Sequence, residues 1–191
     1  MPEIVLVRHG ETEWSMDMRH TGRADIPLTE VGREQAALLR DALSEWSFGR
    51  VLTSPLERAR ETCRLSGFGE HAEPSDALLE WDYGDYEGIT TAEIRESRPG
   101  WFLWRDGCPG GETVAEVGAR LDPLVERLRT LGESVALFAH GHVLRVLAAR
   151  WLGLAPEHGA LFALSTATVS VLGFERETAV IRRWNAPVKS G

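Results

Sequence analysis

Short apolar runs alternate with amphipathic stretches along this chain. Residues 4–7, 51–53 and 135–139 form runs of mostly apolar, partly β-branched residues, which is typical of strands buried in a parallel sheet. After the first run, Thr29 is expected to cap a long helix whose apolar face contains Val31, Ala36, Leu39 and Leu43. Further helices are predicted at residues 56–63, 91–96, 113–131 and 144–152, the first of them with Pro55 in its first turn.

Strands that alternate with helices predict an α/β fold. We expect a three-layer α-β-α sandwich around a mostly parallel sheet, with one antiparallel strand near the C-terminal edge. Residues 169–174 and 179–184 are expected to form a hairpin at that edge. Residues 1–191 are interpreted as one domain with a lid-like insertion at residues 81–111, where aromatic residues lie among glycines and acids.

Charge and composition narrow the range of functions. The 191 residues carry a formal net charge of −8, which argues against nucleic acid or an anionic membrane as the main partner. A small anionic ligand stays compatible, because a local cluster of arginines overrides the global sign. Cys63 and Cys108 lack metal-site spacing, and no apolar stretch is long enough to cross a bilayer. With no signal peptide evident, we expect a cytoplasmic monomer or homodimer.

Cationic and imidazole groups follow three of the predicted strands. They are Arg8 and His9 after the first strand, Arg58 in the helix after the second, and His140 and His142 after the strand at residues 135–139. In such sheets ligands bind beyond the carboxyl ends of the strands. Guanidinium forks and imidazoles gathered there suit a doubly charged phosphate. Gly10 and Gly141 are expected to let the backbone approach that ligand closely.

Each of these signals has an ordinary explanation when it is taken alone. A lone His9 is more often a structural histidine than a nucleophile, and Arg58 is more often a solvated helix charge. His140 and His142 also fit a metal-site fragment or two unrelated loop histidines. Their shared position at strand ends is what favours a phosphate site.

Several segments together resemble the histidine phosphatase superfamily, also called phosphoglycerate-mutase-like. They are residues 6–14, 21–22, 27–29, 54–59, 79–88 and 139–142. Residues 20–22, 80–84, 104–108 and 140–145 resemble a short branch of that family with acid phosphatases and sedoheptulose-bisphosphatase-like enzymes. Ser15 stands where many members have asparagine. Trp81 and Asp82 replace an arginine and a histidine typical of the mutases.

The resemblance implies a hydrolase of small phosphomonoesters, such as sugar phosphates or bisphosphates, that needs no cofactor and no metal. The implied catalytic residues are His9 as the nucleophile, Glu80 as the general acid and base, and Arg8, Arg58 and a protonated His140 as ligands of the phosphate. The implied substrate contacts are Ser15, Thr21, Gly22, Tyr83, Gly141, His142 and Arg145. Arg145 is interpreted as a ligand of a second phosphate or carboxylate, or equally as a partner in a salt bridge along its helix.

Alternatives to this interpretation stay open at the level of the sequence. A phosphoglycerate mutase uses the same phosphohistidine, although the short segment after Gly88 favours hydrolysis. A metal phosphoesterase would use His140 and His142, but two ligands fall short of the usual set. An inactive module that binds phosphopeptides or metabolites is a third alternative. Glu11 and Glu87 compete with Glu80 for the role of the acid.

Overall fold

Six strands and seven α-helices make up residues 2–188, the part of the chain that the computed structural model describes. The strands are β1 (Ile4–Arg8), β2 (Arg50–Thr53), β3 (Ala72–Pro74), β4 (Val135–Ala139), β5 (Thr168–Glu175) and β6 (Thr178–Pro187). The helices are α1 (Glu13–Met16), α2 (Glu30–Leu43), α3 (Glu57–Leu65), α4 (Thr91–Ser97), α5 (Leu103–Asp106), α6 (Val114–Thr130) and α7 (Gly141–Trp151). Short 3-10 turns lie at Gly69–His71, Asp76–Leu78, Gly84–Tyr86 and Pro156–Leu161.

All six strands form one sheet in the order β3-β2-β4-β1-β5-β6. β1 pairs in parallel with β4, and β2 pairs in parallel with β4 and β3. β5 runs antiparallel to both of its neighbours, β1 and β6, and is therefore the one strand opposed to the rest. The predicted α/β fold, with one antiparallel strand near the C-terminal edge, is confirmed.

The register of the parallel strands brings their carboxyl ends to one level. Arg8 pairs with Ala139, and Thr53 pairs with Phe138. The backbone N–H of His9 donates to the carbonyl of Ala139 at 3.0 Å, so the neighbouring strand extends this pairing one residue beyond β1. The residues that follow β1, β2 and β4 consequently meet at the edge of the sheet where ligands bind in such folds.

Helices cover both faces of the sheet, because alternate strand residues point to opposite sides. Leu6 and Leu137 belong to one apolar cluster with the buried residues of α6 and α7. Val5 and Phe138 belong to a second cluster with the buried residues of α2 and α3. These two clusters make the three layers of the predicted sandwich.

The aromatic segment that follows the 3-10 turn at Asp76–Leu78 packs into the core on the α6–α7 side. Trp81, Trp101 and Trp104 are all buried there. The indole N–H of Trp81 donates to the carbonyl of Glu112 at 2.8 Å, which ties the start of this segment to the residues before α6. Among residues 2–188, no helix is both long enough and apolar enough to cross a membrane.

Two local predictions for the helices are wrong. Thr29 does cap α2, accepting from the backbone N–H of Gly32 at 3.0 Å, but Val31 is 50% exposed and does not belong to the buried face. Gly32 takes that place, because the first turn packs against backbone, where a side chain does not fit. Pro55 precedes α3 by two residues, since the helix begins at Glu57. The short elements α1, α5 and β3 were absent from the predictions, because three or four residues show no measurable periodicity.

Gly32 packs backbone against backbone with the segment after β1. A Cβ on Gly32 would lie 2.1 Å from the carbonyl oxygen of Glu11. We expect Gly32→Ala to lower the free energy of unfolding by about 1–3 kcal/mol, because the added methyl group forces two backbones apart. Urea unfolding measures this effect. The matched control is Gly132→Ala, where a Cβ meets nothing within 4 Å, and equal stability of the two variants would contradict the contact.

Candidate active site

His9 is the first residue after β1, and it is only 4% exposed. Its Nδ1–H donates to the carbonyl of Gly10 at 2.7 Å, which leaves Nε2 as the unprotonated nitrogen. Burial lowers the pKa of His9 well below 6.5, and the charges of Arg58 and Arg8 lower it further. The ring is therefore a neutral imidazole with a fixed tautomer and a free nucleophilic nitrogen.

Arg8 presents an unpaired donor beside His9. One terminal nitrogen of its guanidinium donates to the carbonyl of Leu164. The Nε–H is buried and has no hydrogen-bond partner among residues 2–188. A Cβ on Gly141 would lie 3.3 Å from the guanidinium carbon, so the start of α7 packs directly on this side chain. Because an unpaired buried donor costs about 1–3 kcal/mol, its presence indicates a place for an acceptor such as an anion.

Arg58 is fully buried in α3 and is oriented by backbone carbonyls. One terminal nitrogen donates to the carbonyl of Ala24 at 2.7 Å, and the other donates to that of Gly22 at 2.9 Å and that of Thr21 at 3.2 Å. Its Nε–H donates to Nδ1 of His140 at 3.1 Å. Arg58 therefore joins the loop before α2 to the loop after β4.

The prediction of a protonated His140 is wrong for the structure as it stands. Since Nδ1 accepts from Arg58, the ring proton is on Nε2, which lies 2.7 Å from Oγ of Ser54. Burial lowers the pKa of His140 well below 6.5, and the charges of Arg58 and His9 lower it further. The His140 ring centroid is 5.2 Å from that of His9, so the two neutral imidazoles lie side by side.

Glu80 is 4% exposed and lies at the N-terminus of α7. One carboxylate oxygen accepts from the backbone N–H of His142 at 3.0 Å. The other accepts from the backbone N–H groups of Val143 at 2.8 Å and Trp81 at 2.9 Å. These donors and the helix dipole hold the carboxylate in one orientation beside the loop that carries His140.

The two competing acids are engaged elsewhere. The carboxylate of Glu11 accepts from the hydroxyl of Thr29 at 2.8 Å, at the start of α2. Glu87 accepts from the backbone N–H groups of Gly22 at 2.8 Å and Ala24 at 3.0 Å, so it shapes the loop that binds Arg58. Glu80 is consequently the acid of the three that lines the pocket described next.

A pocket of about 380 Å³ opens at this edge of the sheet. The predicted site residues that line it are Arg8, His9, Ser15, Thr21, Glu80, Tyr83, Gly141, His142 and Arg145. Arg58 and His140 lie behind this lining and are both 0% exposed. Gly22 is also buried behind it, where its carbonyl binds Arg58. The fold thus gathers two arginines, two imidazoles and a carboxylate around one cavity of the size of a small molecule.

Comparison with known sequences decides the family. Residues 4–187 match the model of the histidine phosphatase superfamily, branch 1. This chain belongs to that superfamily. The match covers all six strands, so it includes every strand end that carries a group of the candidate site.

The most similar relatives of this superfamily member include phosphatases. The chain is 43% identical to an acid phosphatase of Mycobacterium tuberculosis, over 93% of this chain and 91% of that protein. It is 36% identical to sedoheptulose 1,7-bisphosphatase of Saccharomyces cerevisiae, over 80% of this chain and 68% of that protein. A solved structure of a Mycobacterium tuberculosis open reading frame product superposes with a TM-score of 0.93 at 38% identity, over 98% and 99% of the two chains. The phosphoglycerate mutases among the relatives match at lower identity than the acid phosphatase does.

These relatives confirm the predicted family and make the chain a phosphatase of the histidine phosphatase superfamily. The mutase alternative has less support from them. Neither result tests the role of any single residue, which has to be argued from the contacts in the pocket.

Two predicted contacts of this phosphatase join a single aromatic cluster. The hydroxyl of Tyr83 lies 2.6 Å from Nδ1 of His142. Burial raises the pKa of Tyr83 well above 10 and lowers that of His142 well below 6.5, so the phenol donates its proton to a neutral imidazole. His20 packs edge-on against Tyr83 at 4.9 Å between ring centroids and also lines the pocket.

The smaller predicted contacts have local partners. Ser15 completes a capping box, in which its hydroxyl accepts from the N–H of Thr12 at 2.9 Å. The Thr21 hydroxyl donates to the carbonyl of Arg19 at 3.2 Å. The prediction that Gly10 lets the backbone approach the ligand is wrong, because its near neighbour is α2: a Cβ there would lie 2.3 Å from the carbonyl oxygen of Gly32.

The structure adds residues that the sequence predictions missed. Ser54, which hydrogen-bonds His140, follows β2 directly and was detectable by the same strand-end argument that found His9. His20 lay within a segment already quoted for the family resemblance. Arg19 and Arg95 also line the pocket, but they come from a loop and from α4, and no sequence pattern marks either of them.

Neutral buried histidines make the stability of this protein sensitive to acid. The folded-state pKa values of His9 and His140 are lowered, so the unfolded chain takes up protons first as the pH falls below 6.5. Stability is therefore full above pH 6.5 and is lost as the pH falls below it. We expect the free energy of unfolding to drop by roughly 3 kcal/mol from pH 7.5 to 5.5 on account of this pair. Urea titrations at both pH values measure the drop, and equal stability at both would contradict the neutral assignment.

Proposed function

We propose that this chain hydrolyses small phosphomonoesters through a phosphorylated His9, without a metal ion. The observation that carries the proposal is the neutral ring of His9, which is held by Gly10 with Nε2 free, beside the unpaired Nε–H of Arg8. A nucleophile without a proton and an unpaired cationic donor for the phosphate are the two requirements of the first chemical step.

In the first step, Nε2 of His9 attacks phosphorus in line with the ester oxygen. The P–N bond forms, the P–O ester bond breaks, and Glu80 in its acid form gives its proton to the leaving alkoxide. The positive charge that develops on the ring is stabilised by its Nδ1–H bond to the carbonyl of Gly10. Arg8, Arg58 and His140 donate to the phosphoryl oxygens, and the neutral His140 does so through Nε2–H once it turns from Ser54.

In the second step, water attacks the phosphorus of the phosphohistidine. The P–N bond breaks, and the carboxylate of Glu80 takes the proton of the water, so that inorganic phosphate leaves and both residues return to their starting states. The net reaction is one ester and one water giving one alcohol and one phosphate. The hydrogen bonds that hold Glu80 on α7 keep one carboxylate in place for both transfers.

The ring nitrogens explain why His140 and His142 do not suit a metal site. Both nitrogens of His140 are engaged, by Arg58 and by Ser54, and Nδ1 of His142 is engaged by Tyr83. Within residues 2–188, no group of three or more histidine, cysteine, aspartate or glutamate side chains is placed to hold a metal ion. Arginines at the phosphate supply the positive charge that a metal would otherwise provide.

Release of p-nitrophenol and phosphate from p-nitrophenyl phosphate tests the proposal. We expect turnover that is unchanged within about twofold after dialysis against EDTA, because no step needs a metal ion. Loss of turnover on chelation, with recovery on adding zinc or magnesium, would contradict the metal-free mechanism. Full absence of turnover would favour a binding module that has kept the pocket.

A further inference from the structure

The pocket carries far more positive charge than one phosphate needs. The chain as a whole has a net charge of −8. Arg8, Arg19, Arg95 and Arg145 nevertheless line the pocket, and Glu80 is the one acidic residue in that lining within the described part of the chain. Arg58 lies directly behind it. A dianionic phosphate offsets two of these charges and leaves an excess for a second anionic group.

Arg145 is the arginine best placed to bind that second group. It lies four residues after Gly141 on α7, so the two positions share one face of the helix about 5–6 Å apart. Gly141 itself packs on the guanidinium of Arg8. The Arg145 guanidinium therefore flanks the phosphate site at a distance of about one helical turn.

The guanidinium of Arg145 is held rigidly. Its Nε–H donates to the carbonyl of Gly159 at 3.1 Å, and one terminal nitrogen donates to that of Ala160 at 3.3 Å. The group stacks on the ring of Trp104, 4.6 Å from the ring centroid. The other terminal nitrogen has no hydrogen bond to any residue in the range 2–188, so it is available to a ligand in the pocket. The cation is thus oriented before the substrate arrives, which lowers the entropy lost on binding.

No carboxylate in residues 2–188 forms an ion pair with Arg145, so the predicted salt bridge along its helix does not form there. Burial lowers the pKa of Arg145, which means that its charge is held in a place that disfavours charge. On the same helix, Arg150 pairs with Asp122 at 2.7 Å. A partly buried guanidinium without a counter-ion is costly, and an anionic ligand removes that cost.

We infer that Arg145 forms a second anion site, and that the substrates are phosphomonoesters with a carboxylate or a second phosphate near the reacting group. This inference rests on the proposed function. Arg95 and Arg19 extend the site toward the mouth of the pocket. They are fixed there by bonds from Nε of Arg95 to the carbonyl of Trp101 at 2.9 Å and from Arg19 to that of Gly88 at 2.8 Å.

Matched substrate pairs test the site in the unmodified protein. 3-Phosphoglycerate and glycerol 3-phosphate differ only in a carboxylate that replaces a hydroxymethyl group. Fructose 1,6-bisphosphate and fructose 6-phosphate differ by the second phosphate. We expect kcat/KM to favour the member with the second anion by about tenfold or more in at least one pair, and the pair that responds tells carboxylate from phosphate. Hydrolysis of all four without preference overturns the inference alone, whereas hydrolysis of none overturns the proposed function with it.

Two variants then assign the preference to this residue. Arg145→Gln is expected to reduce the ratio of kcat/KM within the responding pair by about tenfold. Arg150→Gln, on the same helix and paired with Asp122, is expected to keep the ratio of the unmodified protein. A ratio that survives in Arg145→Gln overturns the inference. If Arg145→Gln does not fold, Arg145→Lys replaces it, and because a lysine keeps the charge but loses the fork, an unchanged ratio with a lower KM-independent stability supports a charge site, while a ratio of one overturns it.

Discussion

His9→Ala is expected to lower kcat for p-nitrophenyl phosphate by at least about 10³-fold, because it removes the nitrogen that attacks phosphorus. Arg8 and Arg58 stay in place in this variant, so phosphate binding should persist. The loss is therefore expected in kcat more than in KM. Steady-state kinetics of the variant and the unmodified protein measure it.

The control for His9→Ala separates chemistry from folding. His71→Ala replaces an exposed histidine in the 3-10 turn at Gly69–His71, far along the chain from the strand ends, and is expected to keep full turnover. Inorganic phosphate should raise the melting temperature of His9→Ala as it does for the unmodified protein, because the arginines still bind it. Near-normal turnover of His9→Ala would show that another group attacks the phosphorus.

Glu80→Gln is expected to lower kcat by about 10²–10⁴-fold, because it removes proton transfer from both steps. The two steps are affected unequally with p-nitrophenyl phosphate, whose leaving group departs without a proton. Phosphorylation of His9 should stay fast while hydrolysis of the phosphohistidine becomes slow. Stopped-flow measurements should therefore show a burst of p-nitrophenol of about one equivalent of enzyme, followed by a slow steady state.

The matched control for Glu80→Gln is Glu11→Gln. Glu11 is an acid close to His9 in sequence, but its carboxylate binds Thr29 at the start of α2. Glu11→Gln should show normal turnover and no burst beyond that of the unmodified protein. Normal kcat in Glu80→Gln would remove this residue from the mechanism and would return Glu87 to consideration.

The strand-end argument succeeded where backbone topology alone decides position. Apolar runs predicted β1, β2 and β4, and parallel pairing then required His9, Ser54 and His140 to meet at one edge. No side-chain detail was needed for that step. The same argument located the site before any comparison with relatives.

Predictions that depended on side-chain partners were less secure. The neutral state of His140 follows from the bond that Arg58 donates to Nδ1, and that bond depends on rotamers the sequence does not encode in any pattern. Gly10 and Val31 were misassigned because the close contact of α2 with the backbone after β1 is a tertiary feature. Arg95 reaches the pocket only because α4 packs beside it, so no local signal announces it.

The position of the phosphoryl group on the enzyme tests the central claim most directly. Glu80→Gln is mixed with p-nitrophenyl phosphate, quenched in base to preserve phosphohistidine, digested and mapped by mass spectrometry. The account predicts one phosphoryl group, on the peptide that contains His9, and none when His9→Ala is added to the same variant. A phosphoryl group on any other residue, or its persistence in the double variant, would contradict the account.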